Sequence, residues 1–236
     1  MDTHLRYDSV EAFRSHVASL FESPEAKKRR VLVCCGTGCM AGGAKQVVEA
    51  MHEQLQAIDP AKKAELNLVM KRTGCHGFCE KGPLVVLMPQ GLFYKNVKPK
   101  DVEAIVQESI LGDGVIERLL YVEPSTGKPV QKYGDIEFYA KQTRVAMRNI
   151  GLIDPANLDD YLLRGGYAAL VKALTTMTPE DVMKEVADSK LRGRGGGGFD
   201  AGRKWRSCKS APGDERFLIC NGDEGNPGAF MDRSIM

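Results

Sequence analysis

Three observations predict an α/β chain in two parts. Between residues 30 and 112, short apolar runs alternate with helix-spaced segments in the order β-α-β-β-β-α. Beyond residue 122, prolines and glycines break that periodicity. From residue 165 helical patterning resumes around a run of four glycines, Gly195–Gly198, and leads to one more strand-like run. The expected division is an N-terminal helix (1–25), an α/β domain (26–122), a connector with a helix (123–164) and the start of a second α/β domain (165–236).

The elements follow in order. "SVEAFRSHVASLFE" places Val10, Phe13, Val17, Leu20 and Phe21 at helical spacing. "KKRR" at 27–30 is expected to be a solvated basic turn. "RVLVCC" is a short β-branched run, hence a buried strand ending at a glycine-containing turn. "AGGAKQVVEAMHEQLQAI" is helical, and Pro60 is expected to end that segment. "AELNLVMKRTG" reads as a second strand, and "PLVVLMPQGLFYKNV" as two strands around Pro89-Gln90-Gly91. "KPKDVEAIVQESILG" closes the domain as a helix with a glycine at its end. "YVEPSTGKPVQKYGDIEFYAKQTRVAMRN" lacks periodicity and reads as connector. "NLDDYLLRGGYAALVKALTTM" is helical, interrupted at Gly165-Gly166. In "TPEDVMKEVADSK", Thr178 can cap a helix, Pro179 suits its first turn, and Asp181 stands where it can reach back to the cap. "RFLIC" (216–220) is expected to be a final strand.

Composition narrows the function classes. With 43% hydrophobic and 27% charged residues, a packed core is within reach. A formal charge of +2 and 7% aromatic residues give no basis for nucleic-acid binding. No apolar run approaches the ~18 residues of a membrane helix. "MDTHLRYDSV" lacks the apolar stretch of a secretory signal. The expectation is a cytoplasmic protein without membrane insertion. Its seven cysteines, an odd number, then point to metal or catalytic use rather than disulfides.

Four of these cysteines form two pairs in turns after predicted strands: Cys34 and Cys39 (C-x4-C), and Cys75 and Cys79 (C-x3-C). Glycine-containing turns let thiolates converge, and backbone N–H groups offset their charge. The set suits zinc or a [2Fe–2S] cluster. The absence of a C-x2-C knuckle favours the cluster, with zinc and unligated cysteines as alternatives. Cys34 and Cys35 point to opposite faces of a strand; the register selects Cys34 as ligand and leaves Cys35 to the core. His76 lacks the C-x-H pairing of a Rieske centre and is expected to be a partly exposed loop residue. Cys208 and Cys220 are expected to be unligated.

Gly193, Gly195 and Gly198 spell G-x-G-x-x-G, but a helix rather than a strand precedes them, so an ordinary Rossmann loop is disfavoured. A Walker A reading from Gly197 to Gly202 fails as well: Arg203 takes the lysine position, and Trp205 follows Lys204 where a hydroxyl is needed for magnesium. A phosphate cradle of another kind remains, with Arg194, Arg203 and Lys204 beside it.

The set Cys34, Cys39, Cys75 and Cys79, in this order of elements, resembles the thioredoxin-like [2Fe–2S] ferredoxin domain. "LRGRGGGGFDAGRKW" and "CNGDEGNPGAFMDR" resemble the flavoprotein subunit of the NADH dehydrogenase family, most nearly its soluble NAD(P)-linked hydrogenase branch. The resemblance implies a thioredoxin-like [2Fe–2S] domain, a connector and the beginning of an α/β FMN-binding domain. It implies hydride transfer from NAD(P)H to FMN, followed by single-electron transfer through iron–sulfur clusters to other subunits of a hydrogenase or dehydrogenase. The implied FMN and nucleotide contacts are Gly193, Arg194, Gly195, Gly196, Gly198, Phe199, Lys204, Asn221, Asp223 and Glu224; no acid–base catalytic residue is implied. Because relatives continue past the last motif, a chain ending at Met236 is expected to be a C-terminally truncated fragment. It would lack any [4Fe–4S] region and hold FMN weakly or not at all. The alternative function is a [2Fe–2S] electron-carrier or docking module without flavin chemistry; a zinc-stabilised interaction domain is the third reading.

Overall fold

The computed structural model describes residues 7–23, 28–229 and 231–232. They divide into two compact units, one of residues 11–164 with 224–232, the other of residues 7–10 with 165–223.

The larger unit is built on a mixed sheet. Its strands β1 (Arg29–Cys34), β2 (Leu68–Thr73), β3 (Val85–Met88) and β4 (Leu92–Tyr94) lie in the order β2-β1-β3-β4. β1 and β2 are parallel, with Cys34 opposite Thr73. β3 runs antiparallel to both β1 and β4. Every residue of β1 from Val31 to Cys34 is buried, because both faces of the sheet are covered. On one face Val31, Val33, Val85 and Leu87 pack with Val47, Met51 and Leu55 of helix α3 (Ala44–Gln56). Val102 of α5 (Val102–Ala104) and Ile105, Val106 and Ile110 of the π-helical turns that extend it complete this layer. On the other face Leu32, Cys34, Val86 and Phe93 meet Phe78, Tyr121, Ile136 and Tyr139.

The last two of those residues, Ile136 and Tyr139, lie in the stretch 123–164, expected to be a connector with a helix, and show that this stretch also covers the sheet. Strands β5 (Tyr121–Val122) and β6 (Pro129–Val130) form a small antiparallel hairpin. The chain then runs beside β4: the Phe93 N–H donates to Gln131 O (2.8 Å) and the Tyr133 N–H to Gly91 O (3.0 Å). Helix α6 (Glu137–Ala140) brings Tyr139 onto the sheet. Helix α7 (Leu158–Leu162), capped by Asn157, presents the buried Asp160, which pairs with Lys71 of β2 and accepts from the Asp154 N–H (2.9 Å). Non-local apolar contacts, which local periodicity cannot register, hold this stretch in place.

Other local expectations also change. Pro60 does not end a segment; it opens α4 (Pro60–Leu66), where Asp59 accepts from the Ala61 and Lys62 N–H groups. The first residues of "AELNLVMKRTG" therefore belong to a helix, and β2 starts after the left-handed Asn67. In "KKRR", Arg29 and Arg30 are already strand residues, and Lys27 lies outside the described residues. The predicted first helix is observed as α1 (Val10–Glu22). Residues 1–6 of the N-terminal stretch, and Phe230 and Arg233 of the last motif, lie outside the described residues.

The smaller unit contains α8 (Ala168–Thr176), α9 (Pro179–Asp188) and α10 (Ala201–Ser210). At the start of α9, Thr178 Oγ1 accepts from the Asp181 N–H and Asp181 Oδ2 accepts from the Thr178 N–H, the reciprocal cap expected from the sequence. α9 and α10 approach so closely at Gly202 that a Cβ there would lie 2.5 Å from the Ala187 Cα. "RFLIC" is not a strand: residues 216–220 pair with no neighbour among the described residues, and Phe217, Leu218 and Ile219 are 80–83% exposed.

Ile136 tests the structural role of the stretch after residue 122. Ile136→Ala should cost about 2–5 kcal/mol in denaturant unfolding of the larger unit, as for a core residue. A cost near zero would return this segment to the status of a linker.

Candidate metal centre and glycine loop

The parallel register places the ends of β1 and β2 side by side, and the four cysteines follow from those ends. Cys34 closes β1, Cys39 lies in α2 (Thr37–Ala41), Cys75 follows β2, and Cys79 opens the 3-10 turn Cys79–Lys81. Their thiols form a row of contacts, Cys39 to Cys34 to Cys75 to Cys79. The Cys75 and Cys79 sulfurs are 3.7 Å apart, and the Gly77 N–H donates to Cys75 Sγ (3.2 Å). Cys34 and Cys39 are buried, whereas Cys79 reaches the surface.

Only small residues fit around this row. A Cβ on Gly36 would stand 2.7 Å from the Cys75 Cβ, and one on Gly82 would stand 2.5 Å from the Cys39 sulfur. The thiols also perturb one another. Contact with Cys39 is the first cause pushing Cys34 up to about 12, while the same contact holds Cys39 below the ordinary thiol range. Cys75 is raised chiefly by Cys34, and Cys79 by burial and then by Cys75. Four such groups lose their protons together only when a cation takes up the charge. Among the described residues no three His, Cys, Asp or Glu side chains gather as a single-ion site requires. A row of four sulfurs suits two ions joined by bridging atoms better than one tetrahedral zinc. The donor set therefore fits a [2Fe–2S] cluster.

Neighbouring residues depart from expectation in two places. Cys35 points away from the row but is half-exposed rather than packed in the core, with its thiol raised by partial burial and lowered by Arg72. His76 is not a partly exposed loop residue: it is 2% exposed, packed edge-on against Tyr133 and Tyr139, and neither ring nitrogen has a hydrogen-bond partner among the described residues. Burial, then the Arg144 guanidinium, pushes it down to about 4, so it is neutral near pH 7. A Cβ at Gly151 would lie 2.6 Å from the His76 ring, so this lid closes only over a glycine.

In the smaller unit the glycine loop connects α9 to α10, with Arg192 and Asp200 bridging its base. Gly196 and Gly198 take positive φ (99° and 56°), and the Cβ positions of Gly195, Gly196 and Gly197 face open space. Phe199 and Lys204, with Ser207, Cys208 and Ala211, line an open cleft of about 470 Å³. The Arg203 guanidinium lies 5.7 Å over the Phe199 ring. Arg192, which sequence reasoning passed over, is the arginine that braces the loop: its Nε donates to Gly198 O (2.6 Å), whereas Arg194 donates to the Arg192 carbonyl. Gly193 lies at the foot of the loop, its N–H donating to Phe199 O (2.8 Å). Bare backbone beside a cleft with a lysine and an aromatic edge fits a flat, phosphorylated ligand such as FMN. The structure does not set Asn221, Asp223 and Glu224 at a strand end, as expected. The Asp223 N–H donates to Asn221 Oδ1 (2.8 Å) in a local turn, no hydrogen bond among the described residues ties either to the loop, and Glu224 falls in the other unit. Cys208 and Cys220 are exposed and free.

A strand-end site of four sulfurs followed by a glycine-rich flavin loop defines an iron–sulfur flavoprotein class. Residues 9–109 match the thioredoxin-like [2Fe–2S] ferredoxin family, and residues 186–236 match the Nuo51 FMN-binding domain. The chain thus joins a region that matches the thioredoxin-like [2Fe–2S] ferredoxin family to a region that matches the Nuo51 FMN-binding domain. It is 49% identical over 96 residues to the NADP-reducing hydrogenase subunit HndC of Solidesulfovibrio fructosivorans, covering 41% of this chain and 19% of that protein. It is 26% identical over 209 residues to the NAD-reducing hydrogenase HoxS subunit alpha of Cupriavidus necator, covering 89% of this chain and 32% of that protein. Among solved structures, the thioredoxin-like [2Fe–2S] ferredoxin of Aquifex aeolicus is 34% identical, with a TM-score of 0.36, covering 39% of this chain and 94% of that one. The chain thus spans between 19% and 32% of the length of these two curated relatives.

The ligand assignment predicts opposite outcomes for two adjacent positions. Cys34→Ser should abolish stoichiometric iron and sulfide binding, while Cys35→Ser should leave the visible spectrum intact; reversal of those results would move the ligand to Cys35. Gly82→Ala should also lower cluster content sharply, measured as iron per chain, since its Cβ would displace Cys39.

Proposed function

We propose that this chain is part of an NAD(P)H-oxidising electron-transfer subunit, acting with other subunits of a cytoplasmic hydrogenase or NADH dehydrogenase-type complex. The observation that carries the reading is the presence, on one polypeptide, of the four-sulfur row and the bare-backbone loop beside the Phe199–Lys204 cleft. Bound FMN would supply the chemistry that couples two-electron hydride transfer to one-electron relay. The residues hold and orient. Cys34, Cys39, Cys75 and Cys79 would ligate the cluster, with Cys79 on its exposed side, where electrons can leave or enter. Gly195–Gly197 would let a phosphate or ring edge approach the backbone, Lys204 would neutralise negative charge, and Phe199 would lie against a ring. Arg194, Gly193, Gly196 and Gly198 shape the loop, and Asn221, Asp223 and Glu224 remain candidates for polar contacts to the ligand. Among the described residues no helix is long and apolar enough to cross a membrane.

One observation favours the narrower alternative, an electron-carrier module without flavin chemistry. The glycine loop is open to solvent, and the apolar residues after α10 are uncovered. A single experiment separates the readings: the visible spectrum of the anaerobically purified chain, with iron, sulfide, zinc and flavin assayed together. The expected result is ~2 irons and ~2 sulfides per chain. Added FMN that binds to the unaltered chain and binds about tenfold more weakly to Lys204→Ala supports the flavin site. Cluster without FMN binding would leave the carrier module, and a colourless, zinc-loaded chain would overturn both.

A further inference from the structure

The sheet face that carries Cys34 also carries a polar atom that neither the fold nor the proposed relay uses. Tyr139 is 8% exposed, and its hydroxyl has no hydrogen-bond partner among the described residues. Unpaired buried hydroxyls are uncommon, because removing one from water without compensation is unfavourable. Its surroundings are specific. The ring packs edge-on against His76 (6.1 Å, 77°) and Phe78 (5.7 Å, 86°), two residues of the loop joining Cys75 to Cys79. It shares one buried cluster with Cys34 and Cys39. The Arg144 guanidinium lies 5.2 Å from the ring centre and donates to the His76 carbonyl (3.2 Å), clamping loop and ring together.

Burial is the first cause raising the Tyr139 phenol well above its ordinary range. Arg144 opposes the shift, and Cys34, Cys75 and Cys39 each add to it. With no partner among the described residues, the hydroxyl is a buried donor in the same cluster as Cys34 and Cys39, on a ring packed against the Cys75–Cys79 loop. The unpartnered nitrogens of His76 are the other buried polar atoms nearby, but the rings meet edge-on and no hydrogen bond joins them.

We propose that the Tyr139 hydroxyl donates a hydrogen bond to a sulfur of the [2Fe–2S] cluster and thereby raises its reduction potential. The inference rests on the cluster reading of Cys34, Cys39, Cys75 and Cys79. A donor at sulfur stabilises the more negative, reduced form, so the equilibrium shifts toward reduction. Tyr139 lies beyond residue 109, where the match to the ferredoxin family ends. The segment between the two matched domains thus sets the potential of the cluster beneath it.

The test compares three versions of this chain, each loaded with iron and sulfide and assayed for both: unaltered, Tyr139→Phe, and one with 2,3-difluorotyrosine at position 139. Redox titration followed by electron paramagnetic resonance gives the midpoint potential. Tyr139→Phe keeps the ring and removes the donor, so its equilibrium constant for reduction should fall about tenfold, a shift of about 59 mV for a one-electron couple. The fluorinated phenol is a stronger donor and should shift the potential upward. Deuterium exchange should move the iron–sulfur stretching bands of the unaltered chain more than those of Tyr139→Phe. Equal potentials in all three loaded chains would overturn the inference and leave the cluster reading standing. If Tyr139→Phe fails to hold its cluster, the fluorinated chain decides by the sign of its shift, and no shift counts against the hydrogen bond. An unaltered chain that takes up no iron and sulfide would overturn the inference together with the cluster reading.

Discussion

The parallel pairing of β1 with β2 is the constraint on which the candidate metal centre depends. In an antiparallel pair the chain leaves two neighbouring strands at opposite ends; in a parallel pair both exits lie at the same end. With Cys34 opposite Thr73, the turns carrying Cys39, Cys75 and Cys79 emerge together at one edge of the sheet. Convergence of thiolates is unfavourable on its own account: contact with a neighbouring cysteine is the first cause raising Cys34 and Cys75, whereas burial comes first for Cys79. The sheet holds them together nonetheless, because moving them apart would shift a strand buried on both faces. Gly36 and Gly82 supply the remaining room, since any side chain there would occupy the volume of a cysteine.

Burial around the sulfurs comes from a distant part of the chain. One face of the sheet is covered by α3 and the helical turns after β4, elements close in sequence to the strands they pack on. The other face, the one with Cys34, is covered by Tyr121, Ile136 and Tyr139. That cover turns His76 from a surface loop residue into a buried neutral imidazole and keeps water from the inner sulfurs. It leaves Cys79 uncovered. A site shielded on one side and open on the other has a low local dielectric where charge is held and a short path where an electron passes.

Local patterning made β1 to β4, α3 and the cap of α9 legible in the sequence. Each depends on spacing within a few residues. What it could not register were contacts made across long separations. His76 is buried by Tyr133, Tyr139 and Gly151, which lie 57 to 75 positions away along the chain. The first part of the stretch after residue 122 reads as connector because its apolar residues serve a sheet edge and an aromatic cluster, and neither has a helical or alternating period. Pro60 was misread for a different reason: a proline can stop a helix or begin one, and only the carboxylate of Asp59 accepting two N–H groups decides which. Arg192 and Arg194 are equivalent in composition, and the conformation of the loop alone selects Arg192 as its brace.

The contrast between the two sites follows from how their parts are held. Cys34 sits on a strand whose N–H and C=O groups are shared with neighbours, and the other three cysteines lie in short turns close to the ends of β1 and β2. The glycine loop is held at its base by the Arg192–Asp200 bridge and by Arg192 Nε on Gly198 O, and Gly195, Gly196 and Gly197 meet open space. "RFLIC" shows the same dependence from the other side. Phe217, Leu218 and Ile219 have the residue types of a strand, yet they are exposed and unpaired. A strand is a relation between two segments, and propensity supplies only one of them. Asn221 and Asp223 follow directly on that run, tied to each other in a local turn by the Asp223 N–H donating to Asn221 Oδ1. The candidate metal centre therefore follows from the pairing of the sheet, whereas the candidate flavin site is a set of compatible residues on a loop bridged at its base.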